Sequence, residues 1–275
     1  MAISINKHFL SGLPSAKYDS TKATPNLFSS PEFKKSSFPD SIIIHYTAMS
    51  SAALAVNALT NPKVKASAHL VIAKNGKVHQ LAPFNYRTWH AGTSEYNGRK
   101  YFNNFSIGIE IDNLGWLDDM KNGDFGRKGK VLAQQSAVEE ATHWNKKIRK
   151  KYWEKYTSNQ IERVTEICKA LMEVYGIQEV LGHDEISIDR KQDPGPLFPM
   201  EELRRELFND RSQEGGGEGE VTASLLNIRN LPSASGQLVS KPLQRGTKVE
   251  ILEREKGWLK VKTTIEGWVS GKYIE

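Results

Sequence analysis

The chain has 275 residues, 38% of them hydrophobic, and its 38 basic and 32 acidic side chains leave a net charge of +6. That length suggests about two domains, and no apolar run approaches the roughly 20 residues of a membrane-spanning helix. The single cysteine, Cys168, excludes an intrachain disulfide and leaves the compartment open.

The N-terminal stretch MAISINKHFLSGLPSAKYDS lacks the roughly 7–15-residue apolar segment of a secretory signal. Either the protein is made without an export signal or the signal lies outside this sequence; the cell wall or periplasm is expected if it is exported or delivered by lysis, and the cytoplasm otherwise. The basic balance suits polyanionic surroundings, either nucleic acid or an anionic envelope. No nucleic-acid-binding motif accompanies it, so no nucleic-acid partner is expected. Nothing in the sequence sets an oligomeric state.

The β-branched run SIIIHYT (Ser41–Thr47) predicts a buried strand, and SAALAVNALT predicts a short helix after it. AHLVIAKNGKVHQL (Ala68–Leu81) places two apolar runs about Asn75-Gly76, a hairpin signal. FSIGIEID (Phe105–Asp112) alternates with period two, so Ile107, Ile109 and Ile111 face one way and Gly108 and Glu110 the other. EEATHWNKK reads as helical, with His143 structural, and the basic run KKIRKKYWEK (Lys146–Lys155) reads as a helix end and loop or as an adhesive patch for anionic polymer. TSNQIERVTEICKALMEVYG predicts the longest helix. Thr157 and Gln160 have capping-box spacing, Ile161, Val164, Ile167, Cys168, Leu171, Val174 and Tyr175 share a face, and Gly176 ends it.

Arg211–Glu220 (RSQEGGGEGE) reads as a flexible linker. It separates residues 1–210, with 28 basic and 24 acidic side chains, from residues 221–275, with 9 and 5, so each part carries +4. The first part predicts an α/β domain, a mixed sheet flanked by helices. The second, with short strands between Gly-rich turns, predicts a small all-β barrel in which Trp258 and Trp268 supply much of the burial.

Three residues suggest chemistry. His45 ends an apolar strand, His183 follows the short apolar run EVLG, and Asp193 precedes a stiff Pro194-Gly195-Pro196 turn. Each alone is as readily structural. Together, two nitrogens and one oxygen leave a fourth tetrahedral position open, the pattern of catalytic rather than structural zinc. There is no HExxH motif, and 138 positions separate the two histidines, so the fold has to bring them together. The remaining acids of the stretch GHDEISIDRKQDPGP, namely Asp184, Glu185 and Asp189, read as solvated, and His8 as structural.

The ordered set IIIHYTA, SAHLVIAKNGKVHQL, WHAGTSEYNGR, NNFSIGIEID, GHDEI and RKQDPGP, over roughly residues 40–205, resembles the zinc-dependent N-acetylmuramoyl-L-alanine amidases, the group that includes the AmpD-type muropeptide-recycling enzymes. The tail from LLNIR to GWVSGKYIE resembles bacterial SH3 domains. The resemblance implies an amidase or peptidoglycan-recognition-like fold for residues 1–210, and hydrolysis of the bond between N-acetylmuramic acid and L-alanine in peptidoglycan or muropeptides. It implies one Zn2+ on His45, His183 and Asp193, with Glu110 handling the water proton and Lys191 stabilising the oxyanion. It places Trp89 and His90 in a substrate groove; Lys65, just before ASAHL, reads either as a solvated lysine or as a contact to a stem-peptide or sugar carboxylate. The sequence departs from the recycling enzymes at Tyr101, where they tend to be basic. The competing readings are a peptidoglycan-recognition protein without catalysis, a recycling amidase acting on soluble anhydro-muropeptides, and a polyanion-binding protein.

Overall fold

The computed structural model describes residues 2–20, 33, 39–209, 217–221, 225–232, 237–255 and 258–264. Contacts divide the chain into two units, Met1–Leu207 and Phe208–Glu275.

In the first unit the strands are β1 (Tyr18–Asp19), β2 (Ser41–Tyr46), β3 (Leu70–Ile72), β4 (Val78–Gln80), β5 (Ser106–Ile111), β6 (Trp116–Asp119), β7 (Asp124–Arg127), β8 (Lys130–Gln134), β9 (Val138–Glu140), β10 (Tyr152–Glu154) and β11 (Glu179–Gly182). Six form a mixed sheet in the order β11-β2-β5-β3-β4-β1. Its first four strands are parallel, β4 returns antiparallel to β3, and β1 lies parallel to β4. Ile42, Ile43 and Ile44 are all fully buried. A strand covered on both faces reads as a continuous apolar run rather than an alternation, which is what this segment shows. The β3–β4 hairpin turns at Gly76, whose φ of +75° explains the Asn-Gly pair.

Helix α1 (Ala52–Leu59) is capped by Ser51, which accepts from the Leu54 amide at 3.3 Å, and it buries Ala52, Ala55 and Val56 against Val71 and Leu81. Helix α2 (Ser158–Tyr175) carries the predicted capping box. Thr157 Oγ1 accepts from Gln160 N (3.2 Å), and Gln160 Oε1 accepts from Thr157 N (3.0 Å). Gly176 ends the helix at φ +66°. The expected apolar face holds for Val164, Ile167, Cys168 and Leu171, but Val174 is 51% exposed. Tyr175, in the same last turn, is half-buried with its ring against Phe84. A four-residue helix α3 (His183–Ile186) follows β11, and α4 (Met200–Asn209) closes the unit.

Between β5 and α2 lies a second sheet, all antiparallel, in the order β8-β7-β6-β10-β9. It has its own small core of Leu114, Leu117, Phe125 and Val138. Here the helix expected for EEATHWNKK is absent. Val138–Glu140 pairs with β10, and His143 lies in the loop that follows. Long-range strand pairing has overridden local helix propensity. The basic run divides likewise: it is loop up to Lys151, then β10, where Trp153 is 1% exposed and belongs to the core.

In the second unit β12 (Gly217–Glu220), β13 (Lys248–Glu255) and β14 (Trp258–Lys262) form an antiparallel sheet in that order. Leu225–Leu226 pairs with Leu243–Gln244. The last four residues read as linker are therefore a strand, because the alternating GEGE segment pairs with Lys248–Ile251. Val221, Val249 and Ile251 are buried while Trp258 is only half-buried, and Trp268 lies outside the described residues.

Candidate active site

The site lies at the C-terminal ends of the parallel strands, where open α/β sheets leave room for ligands. His45 is the fifth residue of β2 and pairs in register with Glu110 of β5. His183 follows directly after β11, which pairs with β2 on its other side. Asp193 arrives on the loop after α3. That loop is held by three consecutive carbonyls. Gln192 O accepts from His143 Nε2 (3.3 Å), Asp193 O from Asp184 N (2.8 Å), and Pro194 O from Tyr156 Oη (2.7 Å).

The result is a buried triangle. His45 Nδ1, His183 Nδ1 and Asp193 Oδ2 lie 2.9 Å from one another. The proton positions follow from the hydrogen bonds around it. Ser106 Oγ donates its one proton to Phe102 O at 2.5 Å, so it accepts from His90 Nε2 at 3.3 Å. His90 Nδ1 then carries a lone pair and accepts from His45 Nε2 at 3.0 Å. That leaves His45 Nδ1 unprotonated. His183 Nε2 donates to Ala91 O at 3.1 Å, which leaves His183 Nδ1 unprotonated as well. Three electron-pair donors thus converge with no proton assigned between them. Such a cluster is repulsive unless a cation sits among them. Two imidazole nitrogens and a carboxylate oxygen suit zinc, for which tetrahedral bonds of about 2.0 Å put ligand atoms about 3.3 Å apart. The donor set fits, and a few tenths of an ångström of opening complete the match.

Electrostatics agree. Burial, and then the neighbouring His183, push the His45 pKa down to about 4, which favours the neutral ligand form. Burial would raise the Asp193 carboxyl, but His183 and His45 outweigh it and hold it well below the usual carboxylate range. Glu110 is half-buried, with Oε2 enclosed and without a hydrogen-bond partner among the described residues. Burial first, and Asp193 second, raise its pKa well above the ordinary value, against the opposing charge of Lys191.

A cavity of about 360 Å³ opens on the triangle. Glu110, Lys191, Trp89 and His90 all line it. Lys65 does not: it is exposed, and the cavity wall at that point is Ala66 and Ser67. His90 lines the cavity, and its ring is also buried between Ser106 and His45, hydrogen-bonded to both.

Residues unnoticed in the sequence also line the cavity, among them Tyr46, Trp116, Arg190 and Gln192. Nothing local marks them, because Trp116 and Gln192 reach the wall only through the inserted sheet and the α3 loop. Asp184 and Glu185 are not solvated. Asp184 is buried against His143 Nε2 (3.0 Å) and Trp144 Nε1 (2.7 Å), and Glu185 accepts from Gly182 N (2.6 Å) and pairs with Arg204. Asp189 is exposed and pairs with Lys147, as a surface acid would.

One face of β5 builds much of this. Ser106 anchors His90, Gly108 makes room for it, and Glu110 faces the cavity. A Cβ on Gly108 would lie 2.4 Å from His90 Cγ. Gly108→Ala is therefore expected to displace the imidazole, break its bond to His45 and weaken divalent-metal binding at the triangle by about 10–100-fold. Competition against a chromophoric chelator measures this, and unchanged affinity would argue against the relay.

Comparison with known proteins places the chain in a family. A family model described as N-acetylmuramoyl-L-alanine amidase matches residues 35–196, more than half of the chain, and one described as bacterial SH3 domain matches residues 224–275. The chain is similar to the 1,6-anhydro-N-acetylmuramyl-L-alanine amidase AmpD of Escherichia coli (strain K12), with 30% identity over 143 residues, covering 51% of this chain and 58% of that protein. It is similar to the N-acetylmuramoyl-L-alanine amidase AmiD of the same organism, with 32% identity over 175 residues, covering 60% of this chain and 52% of that protein. The chain thus spans little more than half the length of these relatives. A solved structure of E. coli AmiD, in complex with the substrate anhydro-N-acetylmuramic acid-L-Ala-D-γ-Glu-L-Lys, aligns with a TM-score of 0.46 at 24% identity, covering 74% of this chain and 65% of that one.

Proposed function

Because the chain belongs to the N-acetylmuramoyl-L-alanine amidase family, we propose that it hydrolyses the amide between the lactyl group of N-acetylmuramic acid and L-alanine, in peptidoglycan or its fragments, with one zinc ion. The observation that carries the proposal is the triangle of His45 Nδ1, His183 Nδ1 and Asp193 Oδ2, with the opposite nitrogen of each imidazole already donating elsewhere. These three residues would hold the ion. When bound, zinc supplies Lewis acidity toward the carbonyl and lowers the pKa of water toward about 7.

The chain's own residues do the rest. Glu110 takes the proton of the attacking water and later returns it to the leaving amine of L-alanine. The burial that raises its pKa suits both halves of that cycle, since a general acid–base works best with a pKa near the operating pH. Lys191 lines the cavity on the loop of Asp193, where its ammonium can face the oxygen on which negative charge develops. Trp89, on the wall, packs against the substrate. His90 and Ser106 keep the lone pair of His45 aimed inward.

A chelator is expected to abolish release of stem peptide from peptidoglycan, and added zinc to restore it, as followed by mass spectrometry of the products. Release that continues through chelation would sink the metal mechanism. The SH3 domain bears on the form of the substrate, since a second basic domain suits a polymeric, anionic wall. Deleting residues 211–275 is expected to lower activity on intact sacculi more than on small muropeptides. Equal losses on both would remove the wall-binding role.

A further inference from the structure

The inserted sheet and its loops bring positive charge to the edge of the cavity. Trp116, the first residue of β6, lines the cavity with Glu110 and Gln192. Two cations lie over its indole ring: Lys150 Nζ at 3.5 Å and Arg127 Cζ at 4.3 Å from the centroid. Arg127 donates to two backbone carbonyls, Trp116 O (2.6 Å) and Leu114 O, and forms no ion pair among the described residues. Lys150 pairs with Asp118 at 3.6 Å. Gln192 and Lys150 also line a second cavity of about 390 Å³, whose other walls include Lys147, Arg149 and Asp189. Asp189 is taken by Lys147, and exposed Arg149 forms no ion pair among the described residues. Gln192, whose Oε1 is buried without a hydrogen-bond partner among the described residues, belongs to both cavities.

We infer that Arg149 and Lys150, with the cation-covered indole of Trp116, form a carboxylate subsite for the peptide portion of the substrate. The inference rests on the amide-cleaving function proposed above. The bond itself says which side of the substrate is anionic. The lactyl carboxyl of N-acetylmuramic acid is consumed in the amide, so that residue is neutral. The peptide side keeps at least its terminal carboxylate. Cations over the indole ring take up surface on which a sugar would stack, whereas a carboxylate meets the Arg149 guanidinium, which forms no ion pair among the described residues, and the Lys150 ammonium, whose acidic partner there is Asp118 at 3.6 Å. The subsite reaches the catalytic cavity through Gln192 and Trp116, so a peptide held in one cavity can extend toward the other.

The test is a titration of the full-length protein with the tripeptide L-Ala-γ-D-Glu-L-Lys and with the same peptide amidated at both carboxyls, followed by calorimetry. An exposed ion pair contributes about two- to fivefold in affinity, so the two cations together predict about tenfold preference for the free acid. Arg149→Ala/Lys150→Ala is expected to remove most of that ratio, while Lys130→Ala, on β8 and outside both cavities, leaves it in place. Equal affinity of the two peptides for the unmodified protein overturns the subsite, and so does a ratio that the double variant does not change. Tighter, salt-sensitive binding of inorganic polyphosphate, lost in the same variant while the peptide ratio stays flat, overturns it in favour of a phosphate polymer. Peptide binding needs no turnover. A chain that never cleaves but shows the ratio loses the amidase function and keeps the subsite; a chain that cleaves without the ratio keeps the function and loses the subsite.

Discussion

Glu110→Gln is expected to lower kcat on a muramoyl-L-alanine amide by about 10²–10⁴-fold, with zinc still bound and the fold intact. Glutamine matches glutamate in shape and β-strand position but cannot accept the proton of the attacking water. The surroundings of Glu110 make the variant diagnostic. Its Oε2 is enclosed, with no hydrogen-bond partner among the described residues, and burial disfavours its charged form. Removing a poorly compensated carboxylate should leave stability equal or higher. A residue kept for packing would lose stability and activity together, whereas Glu110 should lose activity alone. Product release, metal content and urea unfolding of the one variant give the answer. A kcat within about threefold of the parent would remove Glu110 from proton transfer.

Asp193→Asn should act on metal binding rather than on proton transfer. The carboxylate is the one negative charge of the triangle, and the two imidazole lone pairs face it at 2.9 Å. An amide in its place carries no charge. It can also turn its N–H groups toward those lone pairs and satisfy them without an ion. Zinc affinity is therefore expected to fall by more than about 100-fold, beyond the range usual for an outer-layer change, and activity to fall with it. The metal-free variant should unfold at a denaturant concentration no lower than the metal-free parent, because the asparagine relieves the convergence of acceptors. Competition titration and unfolding of both apo proteins check the two halves. Undiminished zinc affinity would mean that the triangle is not the metal site.

Much of the local structure could be read from the residues. The β-branched run at Ser41–Tyr46, the Asn75-Gly76 turn, the period-two alternation at Ser106–Ile111 and the Thr157–Gln160 cap each depend on neighbours within a few positions, and each forms as its pattern requires. The expectations that failed were of another kind. EEATHWNKK has helical composition, but its first residues are claimed as a strand by Tyr152–Glu154, and its histidine by Asp184. Asp184 and Glu185 looked solvated because their partners, His143, Trp144 and Arg204, come from other segments.

The sequence by itself determined the strands that carry His45 and Glu110, the long helix after them, and the side-chain chemistry available to the site: two strand-end imidazoles, an aspartate before a rigid turn, a glutamate on the open face of a strand. Those are properties of one residue or one short period. Only the tertiary structure decided how they combine. The parallel pairing of β11, β2 and β5 sets His183 and Glu110 on either side of His45, and Asp193 joins from 148 positions away. The Ser106–His90 relay then selects which imidazole nitrogen of His45 faces inward. The inserted sheet puts Trp116 and Lys150 beside a cavity that neither approaches in sequence. Proton placement and charge pairing depend on distances of about 3 Å, and between distant segments only the folded chain sets them.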